Sequence, residues 1–218
     1  MMGLPTATTV RKLKLVFAHT FRPKRMRAFF DRFGVTEQTR IIDIGGTALN
    51  WSLLPIKPRV TVVNVLPKPD ELPDYIVEWI QGDGRALPFE DRSFDIAFSN
   101  SVIEHVGSWE SQVAFAKEVH RVAPRHWVQT PNFWFPLEPH YVGPFTHWLP
   151  REAQERFAIR YASFWGLATR PTDADVRRMV SELRLLREEE LRRLFPNSEI
   201  VNERVGGLVK SFTAVGGG

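Results

Sequence analysis

Two rhythms of apolar and polar positions alternate along this chain. Short runs rich in Val, Ile and Phe recur at residues 40–44, 60–65, 75–80, 94–99 and 126–130. Most are bounded by Gly, Pro, Asn or Asp, and such runs predict buried strands. Helical spacing fills other stretches. Met26, Phe29, Phe30 and Phe33 fall at i, i+3, i+4 and i+7, predicting a helix over 24–33 with one buried face and Pro23 in its first turn. Ser108 predicts the cap of a second helix, whose stripe is Trp109, Val113, Ala116 and Val119 and which ends before Pro124. Strands separated by helical patterns imply βαβ units and a parallel sheet. The end of the chain breaks that alternation: residues 199–201 and 208–215 flank Gly206-Gly207 and read as a hairpin, followed by a frayed tail at 216–218. Residues 150–195 predict helices, one of them with Leu191, Leu194 and Phe195 inward, and a loop at 170–173 as a second lid edge.

Composition narrows the class. The 218 residues, 43% hydrophobic and 25% charged, predict one soluble domain of ordinary-to-large size. No apolar run approaches the ~20 residues of a membrane span. The first residues lack the apolar core and small-residue cleavage site of an export signal. With no cysteine, disulfides and thiolate metal sites are excluded, and a cytoplasmic location is expected. The net charge of +4 comes largely from two basic clusters. One runs from Arg11, Lys12 and Lys14 through Arg22, Lys24, Arg25, Arg27 and Arg32; the other spans residues 177–193. Solvated faces of amphipathic helices are the expected reading, with the denser N-terminal cluster the better candidate for a partner surface, including peripheral membrane contact.

Residues 40–46, Arg-Ile-Ile-Asp-Ile-Gly-Gly, carry the first chemical signal: a strand opening into a glycine turn lets backbone approach a ligand closely. The ordered series that follows is more specific. Val60–Val65 is succeeded by Gly82-Asp83-Gly84, and Ser93–Asn100 closes the series. The block GDGRALPFEDRSFDIAFSNSVIEHV at 82–106 most closely resembles the Rossmann-like S-adenosylmethionine (SAM) dependent methyltransferases, in particular their type 11 small-molecule branch. That resemblance covers roughly residues 20–130. It departs at Thr47, where the family's second motif glycine stands, and at Asn64, where many members carry an acid.

The resemblance implies an α/β fold: a Rossmann-like seven-stranded, mostly parallel sheet with an antiparallel last strand and helices on both faces. Chain 1–218 is then one methyltransferase domain, with an N-terminal helical segment over about 10–35 and a substrate lid over about 130–165. It also implies SAM as cofactor, leaving as S-adenosylhomocysteine. Gly45, Gly46 and Thr47 form the turn against it, with Asp43 near its amino group and Asn64 facing its ribose. Asp83 and Gly84 take the adenine, and Asn100 and Ser101 overlook the methionine end. Each has a purely structural alternative, as a turn former or helix cap.

Methyl transfer asks protein mainly for alignment and exclusion of water, and for a base where the acceptor is a hydroxyl. Two segments offer one. Glu104-His105 resembles the Glu-x-x-Glu-His element of quinone-biosynthetic O-methyltransferases, with Ser101 in place of the first Glu, so this segment alone lacks a complete metal set. A divalent metal is left open without being predicted. Residues 130–150 combine six aromatics and five prolines with Glu138, His140 and His147. They predict a stiff lid beside the acceptor, with His140 and His147 as the foremost bases. The expected activity is methyl transfer to a small-molecule hydroxyl on a sugar, glycolipid or natural-product-like acceptor. Alternatives are a macromolecular (RNA) methyltransferase, for which no base-flipping tetrad follows the fourth strand, and a non-catalytic SAM-binding protein. Oligomeric state is not encoded in these patterns.

Overall fold

A computed structural model describes the backbone of residues 7–217, with side chains described from Thr20 onward. The long N-terminal helix α1, Ala7–Phe33, begins near the start of the helical segment expected over about 10–35 but well before the helix expected over 24–33, so Pro23 lies inside it rather than in its first turn. A proline removes one amide from the i→i−4 ladder, which a helix of 27 residues tolerates at the cost of one bond. The side chains of Arg11, Lys12, Lys14 and His19 lie outside the described residues.

Strands β1 (Arg40–Ile44), β2 (Arg59–Asn64), β3 (Ile76–Gln81), β4 (Ile96–Asn100) and β5 (Arg125–Pro131) pair in parallel. The crossovers between the first four are shorter than expected. Helix α2 spans only Ala48–Ser52, and no helix separates β2 from β3 or β3 from β4. Prolines at 55, 58, 67, 69 and 73 explain this over the first two connections, because each lacks an amide and disfavours helix in the residue before it. Helix α3, Trp109–Val122, is a full crossover, with Ser108 Oγ accepting from the Ser111 amide as the sequence predicts.

Beyond β5 come the two-residue strands β6 (Leu137–Glu138) and β7 (Gly143–Pro144), which pair antiparallel. Then follow α4 (Arg151–Ala153), α5 (Ile159–Ala162), α6 (Phe164–Thr169), α7 (Asp173–Glu182) and α8 (Glu188–Leu194). In the 170–173 loop, Thr172 caps α7 in a reciprocal pair with Asp175. The chain closes with β8 (Glu199–Val205) and β9 (Leu208–Gly216). Gly216 is not frayed; it pairs with His126 in the β5–β9 ladder.

The main sheet runs β3-β2-β1-β4-β5-β9-β8, with β9 antiparallel to β5 and β8 antiparallel to β9. Both faces are covered. On one, Met26, Phe29 and Phe33 of α1 meet Trp51, Phe98 and Trp127, and Phe29 packs edge-on against Trp51, Phe98 and Trp127 at centroid distances of 5.1–5.8 Å. On the other, Phe115 and Val119 of α3 and Leu191 of α8 pack on Ile42, Ile44 and Val128. Strand order reverses between β1 and β4, which puts the expected ligand crevice past their carboxyl ends.

Candidate functional site

The carboxyl end of β1 is built around a buried acid. Asp43 is fully buried, one carboxylate oxygen accepting from Trp51 Nε1 at 2.8 Å and the other without a partner. Burial pushes its pKa up to about 7. Gly45 adopts φ +76°, and a Cβ there would stand 2.5 Å from Val102. A Cβ on Gly46 would overlap the Asp43 carboxyl, so the turn closes this tightly only with glycine. Thr47 is exposed and precedes α2 as its N-cap residue without a side-chain cap bond.

Asn64 ends β2 buried, its amide donating to the carbonyls of Gly45 (3.2 Å) and Gly46 (2.8 Å) while its oxygen accepts from the Leu66 amide. Its hydrogen-bonding capacity thus goes into holding the glycine turn. Asp83 accepts from the Arg85 amide at 2.9 Å and from its guanidinium, and that pairing holds its carboxyl below the usual range. Gly84 packs against Ile44 and Phe115 with no room for a side chain.

Past β4 and β5 lies a cavity of about 250 Å³. Its apolar walls include Phe21, Phe135, Leu137, Val142 and Leu185, and its polar rim includes Asn100, Ser101, Gln129, Glu138 and His140. Ser101 Oγ donates to Gln129 Oε1 at 2.8 Å from a backbone at φ +57°. Arg25 of α1 donates to Asn100 Oδ1, to Gln129 Oε1 at 3.0 Å and to Glu203 Oε2 at 2.8 Å. Arg22 lines the same cavity, its pKa lowered by burial and by Arg25. Part of the N-terminal basic cluster therefore turns inward, where helical-face reasoning expects solvated charge. The warning in the sequence is that Arg22, Arg25 and Met26 lie three and four residues apart, on the face that also carries Phe29.

The segment 130–150 roofs this cavity, where a lid was expected. It is more regular than its prolines suggest, because the β6–β7 ladder folds it back on itself. Glu138, 1% exposed, organises the bend: one oxygen accepts from the amides of His140 (2.7 Å) and Tyr141 (3.0 Å), the other meets His140 Nδ1 at 2.5 Å. His147 donates through Nε2 to the Phe133 carbonyl at 2.8 Å, a bond that Trp148 Nε1 duplicates. Burial lowers its pKa. That geometry makes His147 a pin for the lid and leaves His140 as the imidazole held by a carboxylate. Trp134, Phe145 and Trp148 are exposed, with Trp148 meeting each of the other two rings at a tilt, while Tyr141 packs into a small core with Ile159, Val176 and Val180.

Glu104 and His105 occupy a short 3₁₀ turn, Ile103–His105, directly after β4. Glu104 is fully buried; Oε2 accepts from Thr130 Oγ1 at 3.0 Å, Oε1 has no partner, and burial raises the pKa to about 7. The rings of His105 and His140 meet edge-on at 4.5 Å. His140 Nε2 stands 3.9 Å from Glu104 Oε1. The structure thus clusters three of the four catalytic candidates and adds Glu138, while His147 lines the same cavity with its Nε2 engaged by the Phe133 carbonyl.

Residues 45–125 match a protein-family model described as a methyltransferase domain. No curated protein matches the chain. Among solved structures, it resembles the 1,6-didemethyltoxoflavin-N1-methyltransferase of Burkholderia thailandensis, determined with its substrate and S-adenosylhomocysteine, at 13% identity and TM-score 0.57 over 96% of this chain and 83% of that one. It also resembles a SAM-dependent methyltransferase from Aquifex aeolicus, at 16% identity and TM-score 0.50 over 96% of each chain. The N-terminal domain of EvdMO1, solved with S-adenosylhomocysteine, aligns at 18% identity and TM-score 0.50 over 89% of this chain and 80% of that one.

Proposed function

We propose that this chain, a Rossmann-like SAM-dependent methyltransferase, methylates a hydroxyl of a small acceptor seated in the cavity beneath residues 130–150. The observation that carries this reading is His140, whose Nδ1 is held by the buried Glu138 at the edge of that cavity. Holding Nδ1 fixes the tautomer and leaves Nε2 as the basic atom. The bound cofactor supplies an electrophilic methyl group on a sulfonium. The glycine turn fits it, since Asp43 keeps an orphaned carboxylate oxygen beside that turn, an acceptor suited to a nearby cation. Gly45, Gly46, Thr47, Asp83 and Gly84 form the backbone rim, and Asn100 and Ser101 lie between that rim and the acceptor.

In this mechanism Phe135, Leu137, Val142 and Leu185 exclude water and hold the acceptor, Ser101 and Gln129 orient it, and His140 takes the hydroxyl proton. The apolar walls with a few polar groups suit a sugar-bearing, glycolipid or natural-product-like molecule. RNA as acceptor loses one of the basic side chains that favoured it, because Arg25 is engaged within the fold. No described helix is long and apolar enough to cross a membrane; a cytoplasmic setting and a single domain over 1–218 belong to the same reading. The test is calorimetric binding of S-adenosylhomocysteine, followed by a screen of hydroxylated acceptors for its release from SAM. Absence of cofactor binding would overturn the reading; transfer confined to amine acceptors would overturn its hydroxyl part.

A further inference from the structure

Glu104, His105 and His140 bring one donor atom each to within 4.8 Å of one another, the only such His and acid cluster found among the described residues. The cluster joins two segments 35 positions apart, the turn after β4 and the lid. Three features distinguish it from a chance encounter of side chains. Glu104 Oε1 is buried without a hydrogen-bond partner, and a buried carboxylate oxygen left unpaired is destabilising unless a ligand satisfies it. His140 carries a carboxylate on its other ring nitrogen, Glu138 at 2.5 Å, the arrangement that orients metal-bound imidazoles and raises their basicity. Nε2, the atom so presented, is 3.9 Å from the orphaned oxygen, too long for a direct hydrogen bond.

We propose that Glu104, His105 and His140 bind one divalent transition-metal ion, with Glu138 as the group that orients His140. Two imidazoles and one carboxylate favour zinc, iron, cobalt, nickel or manganese over magnesium and calcium. With bonds of about 2.0–2.1 Å, ligand atoms on a shared ion stand roughly 3.0–3.5 Å apart, so the cluster contracts by about an ångström on binding. Exposed His105 supplies the freedom for that contraction, and the buried pair Glu104 and Glu138 supplies the fixed frame. Three protein ligands leave at least one position open. The ion therefore clasps the lid to the sheet and offers the open position to an acceptor oxygen, whose bound hydroxyl loses its proton to solvent more readily. That use at the acceptor rests on the hydroxyl methylation proposed above and replaces His140 as the base, because Nε2 then lies on the ion; ion binding itself does not depend on it.

The test uses the full chain stripped with chelator and titrated with Zn²⁺, Mn²⁺ and Mg²⁺ alone, by calorimetry and thermal melting, with Co²⁺ as a spectroscopic probe. One saturable site is expected, tighter for Zn²⁺ than for Mg²⁺, with a raised melting temperature and Co²⁺ absorption bands of nitrogen-ligated geometry. His105→Ala, at an exposed position, and His140→Ala should each weaken Zn²⁺ binding at least tenfold, and Glu138→Gln about 10–100-fold. His120→Gln, outside the cluster, should leave it unchanged. Absence of saturable binding, or affinity unaltered in both His105→Ala and His140→Ala, would overturn the site. Methyl transfer at full rate in chelator would remove the ion from the reaction and leave His140 as the base. Stoichiometric Zn²⁺ binding without transfer to any hydroxyl would keep the site and sink the proposed function.

Discussion

At the scale of single residues, the two ends of the crevice are defined by what a side chain is prevented from doing. Gly46 cannot carry a Cβ because the Asp43 carboxyl fills that space. Gly46→Ala should therefore cost about 1–3 kcal/mol of stability, seen as a lower urea midpoint, and should weaken S-adenosylhomocysteine binding in calorimetry. Across the cavity, His140 is oriented by Glu138 and has no equivalent in His147, which bonds to the Phe133 carbonyl. His140→Ala should lower turnover about 10²-fold or more with cofactor affinity retained. Full turnover in that variant would leave alignment alone to carry the reaction. His140 was legible in the sequence as an imidazole in an aromatic, proline-rich segment. Its distinction from His147 was not, because a backbone carbonyl as hydrogen-bond partner leaves no trace in residue type.

At the scale of elements, α1 does more than cover the sheet. Its apolar stripe was readable from spacing, but its Arg25 reaches Asn100, Gln129 and Glu203, joining the helix to β4, β5 and β8. Glu203 also accepts from Lys210 at 2.7 Å and Ser211 at 2.9 Å, and these partners hold its pKa below the ordinary value against burial. Glu203→Gln leaves two half-buried cations without their counter-charge. A loss of about 2–3 kcal/mol is expected by chemical denaturation, at the low end for a broken buried pair because Glu203 remains 21% exposed. Trp51 is a second junction: it fills the α1 face of the sheet and donates to Asp43. Trp51→Phe removes that donor, and a fall of about 1–3 kcal/mol in unfolding free energy would show the bond's weight.

At the scale of the whole molecule, pH reports on the buried acid of the glycine turn. Burial raises the folded pKa of Asp43 to about 7, from 3.8 for a freely solvated carboxyl, so folding favours its protonated form. Its contribution to stability is complete below about pH 4 and is lost as pH rises through about 7. Without cofactor, the protein should melt at a lower temperature at pH 8 than at pH 5.5, and Asp43→Asn should flatten that slope; an equal slope in the variant would exclude Asp43 as its source. The sequence by itself determined the strands, because an apolar run flanked by turn formers needs only near neighbours to be read. It likewise determined the capped crossover helix and the closing hairpin. It misjudged the crossovers at β2 and β3, where proline density overrode the expected alternation of strand and helix. Only the tertiary structure decided which charges turn inward and which imidazole faces a carboxylate. Arg25 finds its ion pair 178 residues away, and Glu104 meets a histidine from another element. Such partners are chosen by sheet order and helix docking, and local residue patterns carry no information about a neighbour that arrives only when the sheet has closed.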